Sequence, residues 1–432
     1  MRAATQYQRT LAVLAFTVLA AGEFWRHLMG WWGWGALAVL VTVAAFVELV
    51  RMRVNPRRLP IWLLVFVVVA GLSIIWSPSP GSAALSVVAL LATSNVAVML
   101  AVCLTWTELL EILSTALRWI LGASLAFELF VSVVIRDRLL PLWTDYSHLD
   151  TIPSTFYWSR NLLFEGGRIQ GVVGNANVLS MLALLALVVF VCRLLARQGS
   201  PLWAWFWIAV AVLDFALSRS ATVIVATVAV AGVAVVLVLA RRTTGRTRQG
   251  VLVGSILAAV VLVVAAVLAR GPLLGLLGRS PDLTHRLDIW QTVGEIALER
   301  PVLGWGWGFW APWHWPIEGL GELNEIGYLS AHNSWLDVFL QLGAIGLVLF
   351  AMLVIGALVR SWGMATERTS RSLGIAGMGW PLNAAPLLLL VALLVQSLTE
   401  SQLLWELGFA LLVVMAVKTG WRDPERVEAI GG

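Results

Sequence analysis

Twelve apolar runs, each near the length that crosses a bilayer, dominate this chain and restrict what it can fold into. A spanning helix needs about 20 mostly apolar residues. The runs cover residues 8–25, 31–50, 60–77, 83–105, 118–135 and 171–192, then 201–217, 221–240, 250–269, 335–359, 384–399 and 402–418. The expected fold is all-α: a polytopic membrane protein of about 12 transmembrane helices, with a long extracytoplasmic loop containing short amphipathic helices. Residues 1–432 read as a single transmembrane domain, with one outer loop at 136–170 and a longer one at 270–334 that caps the outer face.

Composition excludes a soluble protein, because 60% of residues are hydrophobic and 12% charged, against about 25% charged in soluble chains. Only Cys103 and Cys192 occur, so there is no disulfide framework and no cysteine-based metal site. The net charge of +5 does not indicate nucleic acid, since the arginines mostly flank the apolar runs. The first run follows Arg2 and Arg9 and ends in "VLAAG", a pattern that a cleavable signal peptide also shows.

The cations also orient the helices. With the N-terminus cytoplasmic, 19 Lys/Arg fall inside and 10 outside, and eight of the ten lie in the two longest outer segments. Long segments translocate with less regard to charge, so the short loops favour cytoplasmic N- and C-termini. All five histidines, His27, His148, His285, His314 and His332, then face outward.

Four outer stretches combine special backbone residues with charge. In "EGGRIQGVVGNANVLS" (165–180) the glycines permit tight turns, Arg168 is the only cation, and Asn175 and Asn177 are placed to cap the next helix. A plain loop with a snorkelling arginine fits the same residues. In "LSRSATV" (217–223) the hairpin is so short that Arg219 sits at the outer mouth between two spanning helices, with Ser218 or Ser220 as a cap. An arginine near the bilayer is costly without a partner or water, so it reads as functional unless it merely anchors the interface.

The third stretch, 280–310, predicts an amphipathic helix over 285–299 capped by Asp282 or Thr284. At helical spacing Arg286, Trp290, Val293 and Ala297 share a face, with Leu287 and Ile296 nearby. Arg286 falls in the first turn, where the macrodipole disfavours a cation unless an anion sits there too. Pairing with Asp282 or Asp288 is the plainer account.

The fourth, "SAHNSWLDVFLQLGAIGLVLF" (330–350), puts His332 at or just before the first turn of a spanning helix. The helix dipole there favours the neutral imidazole, which can accept a proton. Asn333 and Ser334 are placed to cap that helix or orient the ring. Trp305, Trp307, Trp310, Trp313 and Trp315 suit a membrane belt better than a sugar platform. Glu128, Asp214, Asp337, Glu400 and Glu406 lie in or near apolar runs and read as buried polar pairs or a proton relay, with Glu400 of "LTES" facing the outer mouth.

The order of "GGRIQGVVGNAN", "LSRSAT", "THRLDIWQTV" with "ERPVLGWGWG", and "HNSWLDVFLQLGAIG" resembles the O-antigen ligase and polymerase family, over about residues 160–350 plus "LTES". The resemblance implies an inverting glycosyltransferase needing no metal and no cofactor. It would move glycan from a polyprenyl diphosphate carrier to an acceptor hydroxyl at the outer face of the bacterial cytoplasmic membrane. By matching motif, Arg219 and Arg286 would bind the diphosphate, His332 would act on the acceptor, and Arg168 would support the donor site. Asn177, Asn333, Trp290 and Glu400 are the further substrate-binding candidates. "GNAN" departs from the family, which commonly has proline before the last asparagine. The partners implied are the lipid-linked donor, a lipid, glycan or protein acceptor, and membrane lipids, with no nucleic acid. A polymerase joining lipid-linked repeats is the sister reading. A transporter or flippase would use the same arginines, but the paired repeats and broken central helices common in transporters are not evident in the sequence.

Overall fold

The computed structural model describes residues 4–146, 150–268, 286–308, 330–366 and 379–420. Among them are thirteen α-helices and no strand; Leu139 and Ser159 form one isolated bridge. The helices are α1 (Gln6–Ala20), α2 (Gly22–Arg51), α3 (Ile61–Leu72), α4 (Pro80–Cys103), α5 (Trp106–Phe130), α6 (Ala176–Leu195) and α7 (Pro201–Ser218). There follow α8 (Ala221–Arg242), α9 (Gly245–Leu268), α10 (Arg286–Glu299), α11 (Ser334–Thr366), α12 (Trp380–Gln396) and α13 (Glu406–Gly420). All twelve apolar runs are thus helical, and α10 is the thirteenth. Seven helices, α2, α4, α5 with its π-helical extension, α6, α7, α8 and α11, are long and apolar enough to cross a membrane by themselves.

Burial sorts the helices into layers. From Leu407 to Val417 every residue of α13 is buried, and α6 and α12 are buried along most of their lengths, so these three form the centre. By contrast α2, α7 and α8 expose Trp32, Phe46, Leu202, Trp203 and Val228. Exposed apolar side chains at this density would be insoluble in water and are satisfied by lipid. The molecule is an all-α, multi-pass membrane protein.

Two boundaries differ from expectation. The chain breaks at Ala21, and α2 starts at Gly22 with an internal kink at Gly30 (φ 70°), so residues 22–25 belong to the second helix and not the first. Helix α5 begins twelve residues before the expected 118, because Thr105 and Glu108 form a capping box: Thr105 Oγ1 accepts from Glu108 N and Glu108 Oε2 accepts from Thr105 N. Its charged first turns, absent from an apolar count, are satisfied at the surface by Arg9, 2.9 Å from Glu111. Segment 136–170, expected as an outer loop, holds one 3-10 turn and one isolated bridge, Leu139 with Ser159, among its described residues.

Ala4 N donates to Glu108 at the start of α5, and Lys418 Nζ donates to Ala101 and Leu104 at the end of α4. Both termini of the described helical body therefore lie at one end of the bundle. The hairpin 218–221, the start of α10, the start of α11 and the link 397–405 meet at the other.

At that far end one spanning helix is broken by design of sequence. Gly343 takes φ 60° and ψ −161° inside α11, which frees the carbonyls of the turn before it and the N–H groups after it. Segment 301–306, "PVLGWG", lies in the gap and takes up these groups. Trp305 N and Gly306 N donate to Leu340 O and Gln341 O, while Ala344 N and Ile345 N donate to Pro301 O and Val302 O. Unpaired backbone groups at this depth would cost several kcal/mol each. The approach is so close that a Cβ on Gly343 would lie 2.3 Å from Val302 O, and one on Gly304 2.5 Å from the Gln341 carbonyl carbon. Trp307 follows into the core, fully buried against Phe66 and Trp405, so it belongs neither to a membrane belt nor to a sugar platform. Trp310, Trp313 and Trp315 lie outside the described residues.

Gly343→Val combines a left-handed backbone with a backbone collision and is expected to cost more than about 2 kcal/mol. Thermal unfolding of the purified protein in detergent reads this as a clear drop in Tm; an unchanged Tm would contradict the inserted segment.

Candidate functional site

Local sequence rules place each polar side chain at the far end. Asn175 caps α6 by accepting from Asn177 N and Val178 N, which leaves the Asn177 side chain free to face the bundle. Asn333 caps α11 in the same way, accepting from Trp335 N and Leu336 N. Its amide donates to Leu398 O, so the residue expected to bind substrate acts here as a cap and tether. His332, just before the cap, has φ 48°. A left-handed conformation is strained for histidine and persists only where its surroundings impose it. Here Asn333 N donates to Ser401 Oγ, Ser334 N to Ser397 O and Ser334 Oγ to Glu400 O, which pins the start of α11 to the link 397–401.

Glu400 is the hub of this end. Its Oε1 accepts from the Arg286 guanidinium at 2.6 Å and from Asn177 Nδ2 at 2.8 Å, and its Oε2 lies 3.2 Å from His332 Nδ1. Asn177 Oδ1 in turn accepts from Arg168 at 2.6 Å and from Ser220 Oγ at 3.0 Å. Arg168 Nε also donates to Ser218 O. Four elements distant in sequence, the 168–177 loop, the α7–α8 hairpin, the start of α10 and the start of α11, thus converge on one carboxylate. Arg286 pairs with Glu400, which lies 114 residues away and was not a partner that local spacing could suggest.

Neither Ser218 nor Ser220 caps α8: Ser218 Oγ donates to Phe215 O and Ser220 Oγ to Asn177. Arg219 stands between them in a left-handed conformation (φ 48°), exposed and outside the hydrogen-bonded cluster among the described residues. On α10 the buried stripe is Ile289, Val293 and Ala297; Ile289 replaces Leu287, which is exposed. Trp290 donates from Nε1 to Ala331 O and, with Asn333, Trp335, Leu336, Phe339 and Leu347, lines an open apolar surface groove at the start of α11. Asp337 accepts from Ala331 N one turn below.

Burial alone would raise the Glu400 carboxyl, but the hydrogen bond from His332 and the Arg286 charge together hold it below the usual carboxylate range. An ionised carboxylate can only accept, so the proton of a neutral imidazole here sits on Nδ1. The His332 side chain is 36% exposed, against 15% for Arg286 and 11% for Glu400, so the imidazole is the member of the trio that solvent or a ligand reaches. His27 also lies at this end, its carbonyl bonded to Leu142 N. His148, His285 and His314, with Asp282 and Thr284, fall outside the described residues, as does most of the 270–334 loop expected to form a cap. Among the described residues no group of three or more His, Cys, Asp or Glu is placed to hold a metal.

A multi-pass helical bundle with an arginine, carboxylate and imidazole cluster at one end defines a class of membrane protein with a polar site at the end of the bundle. Residues 204–351 match the O-antigen ligase family model. It is 38% identical over 82 residues to a protein of Rickettsia conorii named as a polysaccharide ligase, a match covering 18% of this chain and 20% of that one. It is 30% identical over 129 residues to the exopolysaccharide production protein ExoQ of Rhizobium meliloti, covering 28% of this chain and 29% of that one. The chain therefore matches between about a fifth and under a third of the length of these relatives.

A depressed carboxyl contributes stability that is present above its unfolded pKa, about 4.3, and is lost as pH falls through the lower folded value. Wild type should therefore exceed Glu400→Gln in Tm at pH 7, with the gap closing as pH is lowered toward 3. Thermal unfolding across that range checks this, and a gap independent of pH would refute the assigned charge.

Proposed function

We propose that the chain is a glycosyltransferase that moves glycan from a polyprenyl diphosphate carrier to an acceptor hydroxyl at the extracytoplasmic face of a bacterial cytoplasmic membrane. The observation that carries the reading is the single carboxylate of Glu400, which holds a guanidinium and an imidazole side by side at the bundle end. The family match and the names of the two relatives support ligation of polysaccharide in general terms.

The chemistry follows from the roles these groups can play. The acceptor oxygen attacks the anomeric carbon as the bond to the diphosphate breaks, and the electron pair leaves with the phosphate oxygen. His332 Nε2 takes the acceptor proton, because Glu400 keeps the other ring nitrogen protonated and the ring oriented. A single displacement of this kind inverts the anomeric centre. Negative charge grows on the departing diphosphate, and fixed cations stabilise it without reorganising. Arg286 has five N–H donors, and its bond to Glu400 employs one nitrogen of the fork. Exposed Arg219 is the second cation, and Arg168, anchored by Ser218 and Asn177, supports the donor site. Side chains alone perform these steps, so transfer is expected to survive EDTA.

Phosphate emerges from the hydrocarbon at the headgroup level, which explains why the base waits at the lip of a spanning helix. Cytoplasmic N- and C-termini put the cluster on the outer face, in keeping with the arginine distribution. Ligase and polymerase share this chemistry and differ in whether the acceptor is a distinct molecule or another carrier-linked repeat.

Purified protein in liposomes with carrier-linked glycan, acceptor and EDTA tests the proposal. His332→Ala is expected to lower kcat by about 10² to 10⁴, and Arg286→Ala by at least a comparable factor, with both variants still folded. Wild-type turnover in either, or movement of lipid-linked glycan between leaflets with no new glycosidic bond, would overturn it.

A further inference from the structure

Beneath the 168–177 loop lies a second carboxylate that none of the chemistry above employs. Glu128 is 1% exposed, near the end of α5. Its Oε1 accepts from Gln170 N at 2.9 Å and Gly171 N at 2.8 Å, and its Oε2 accepts from Ser159 Oγ at 2.8 Å. One turn earlier on the same helix Ser124 Oγ accepts from Val172 N at 3.3 Å. Three successive backbone N–H groups thus point at one face of α5. Consecutive amides of this kind make a concavity that binds anions. Here the protein's own carboxylate fills it.

The three amides of the loop's central turn, at 170, 171 and 172, are held only by these two side chains of α5. Gly171 and Gly174 have φ of 61° and 64°, and a Cβ on Gly171 would meet Ser124 Oγ at 2.6 Å. Outside the Glu128 and Ser124 contacts, Ile169 N donates to Leu217 O, Gly174 N to Gly171 O and Trp158 Nε1 to Val172 O, and the Gln170 side chain spans from Arg160 Nε to Gly174 O. The residues at the two ends of this short loop, Arg168 and Asn177, are bonded to each other and connect through Asn177 to Glu400. A shift of the loop is therefore a shift of Arg168 against the Arg286–Glu400–His332 trio.

We propose that Glu128 is a positioning residue of the transfer site: an internal acceptor that locks the 170 and 171 amides and thereby fixes Arg168 and Asn177 against Glu400. The inference rests on the glycosyltransferase reading for its kinetic consequence but not for its structural one. It is the geometry of acceptance that matters. Glutamine keeps an oxygen for the two amides and can turn its NH₂ to Ser159, whereas aspartate keeps the charge but is one methylene too short to serve both sides.

The test compares Glu128→Gln, Glu128→Asp and Glu128→Ala in the full-length protein in detergent or liposomes. In the transfer assay the expected order of kcat is Gln, then Asp, then Ala. Gln should stay within about fivefold of wild type and Ala fall about 100-fold, the cost typical of a misplaced site, with donor KM changed little. Sodium acetate, able to enter the vacated concavity, should restore part of the Ala loss. Hydrogen exchange of a peptide covering 166–178 reads the clamp independently of activity: protection should drop in Ala, hold in Gln, and return with acetate. Asp outperforming Gln, or wild-type kcat and wild-type exchange in Ala, would overturn the proposal. If Ala does not fold, the Gln against Asp order decides it. If wild type itself transfers nothing, the functional reading fails while the exchange comparison still decides the clamp.

Discussion

Glu400 carries a charge that its surroundings would expel were it not bonded on both oxygens. A carboxylate this buried is tolerated only when paired and hydrogen-bonded, and the partners it recruits come from the four segments that the fold must bring together. Removing it would leave the partly buried Arg286 and Asn177 Nδ2 without this acceptor and His332 without its orienting partner. The far end of the bundle is thus organised around one side chain in the link between α12 and α13, and not around any single helix.

Two other devices keep that end rigid. The insertion of 301–306 into the break at Gly343 satisfies backbone groups that lipid could not, and it also leads the chain from α10 to the core, where Trp307 is fully buried. The left-handed His332 is held by the Ser397–Ser401 segment. Strain at the imidazole and preorganisation of its neighbours are the same fact seen from two sides. Under the proposed function rigidity matters, because a donor tethered to the membrane by its lipid would present its diphosphate at one fixed height.

Much of the fold was legible because apolar length is a direct consequence of bilayer thickness. Helix α10 was expected at 285–299 and is found at Arg286–Glu299, since its apolar stripe has helical spacing. The start of α5 was missed because its first turns are charged and capped, which an apolar count discards. At the site, Arg168, Asn177, Arg286, His332 and Glu400 were singled out, and they do meet. Their pairing was not readable, because Arg286 and Glu400 stand far apart in the chain. Asn333 proved a cap, which the Asn-Ser sequence before an apolar run already allowed. In the sequence Glu128 reads only as an acid in an apolar run; the signal that points to it is the glycine-rich loop, whose amides need an acceptor from elsewhere.

The central claim is that Glu400 acts on the reaction through His332, which makes the two side chains one functional unit. A double-mutant cycle on kcat, using Glu400→Gln, His332→Gln and the pair, measures this directly. The account predicts strong non-additivity, with Glu400→Gln costing almost nothing further once His332 has been replaced. Losses that simply multiply would show two independent groups and contradict it.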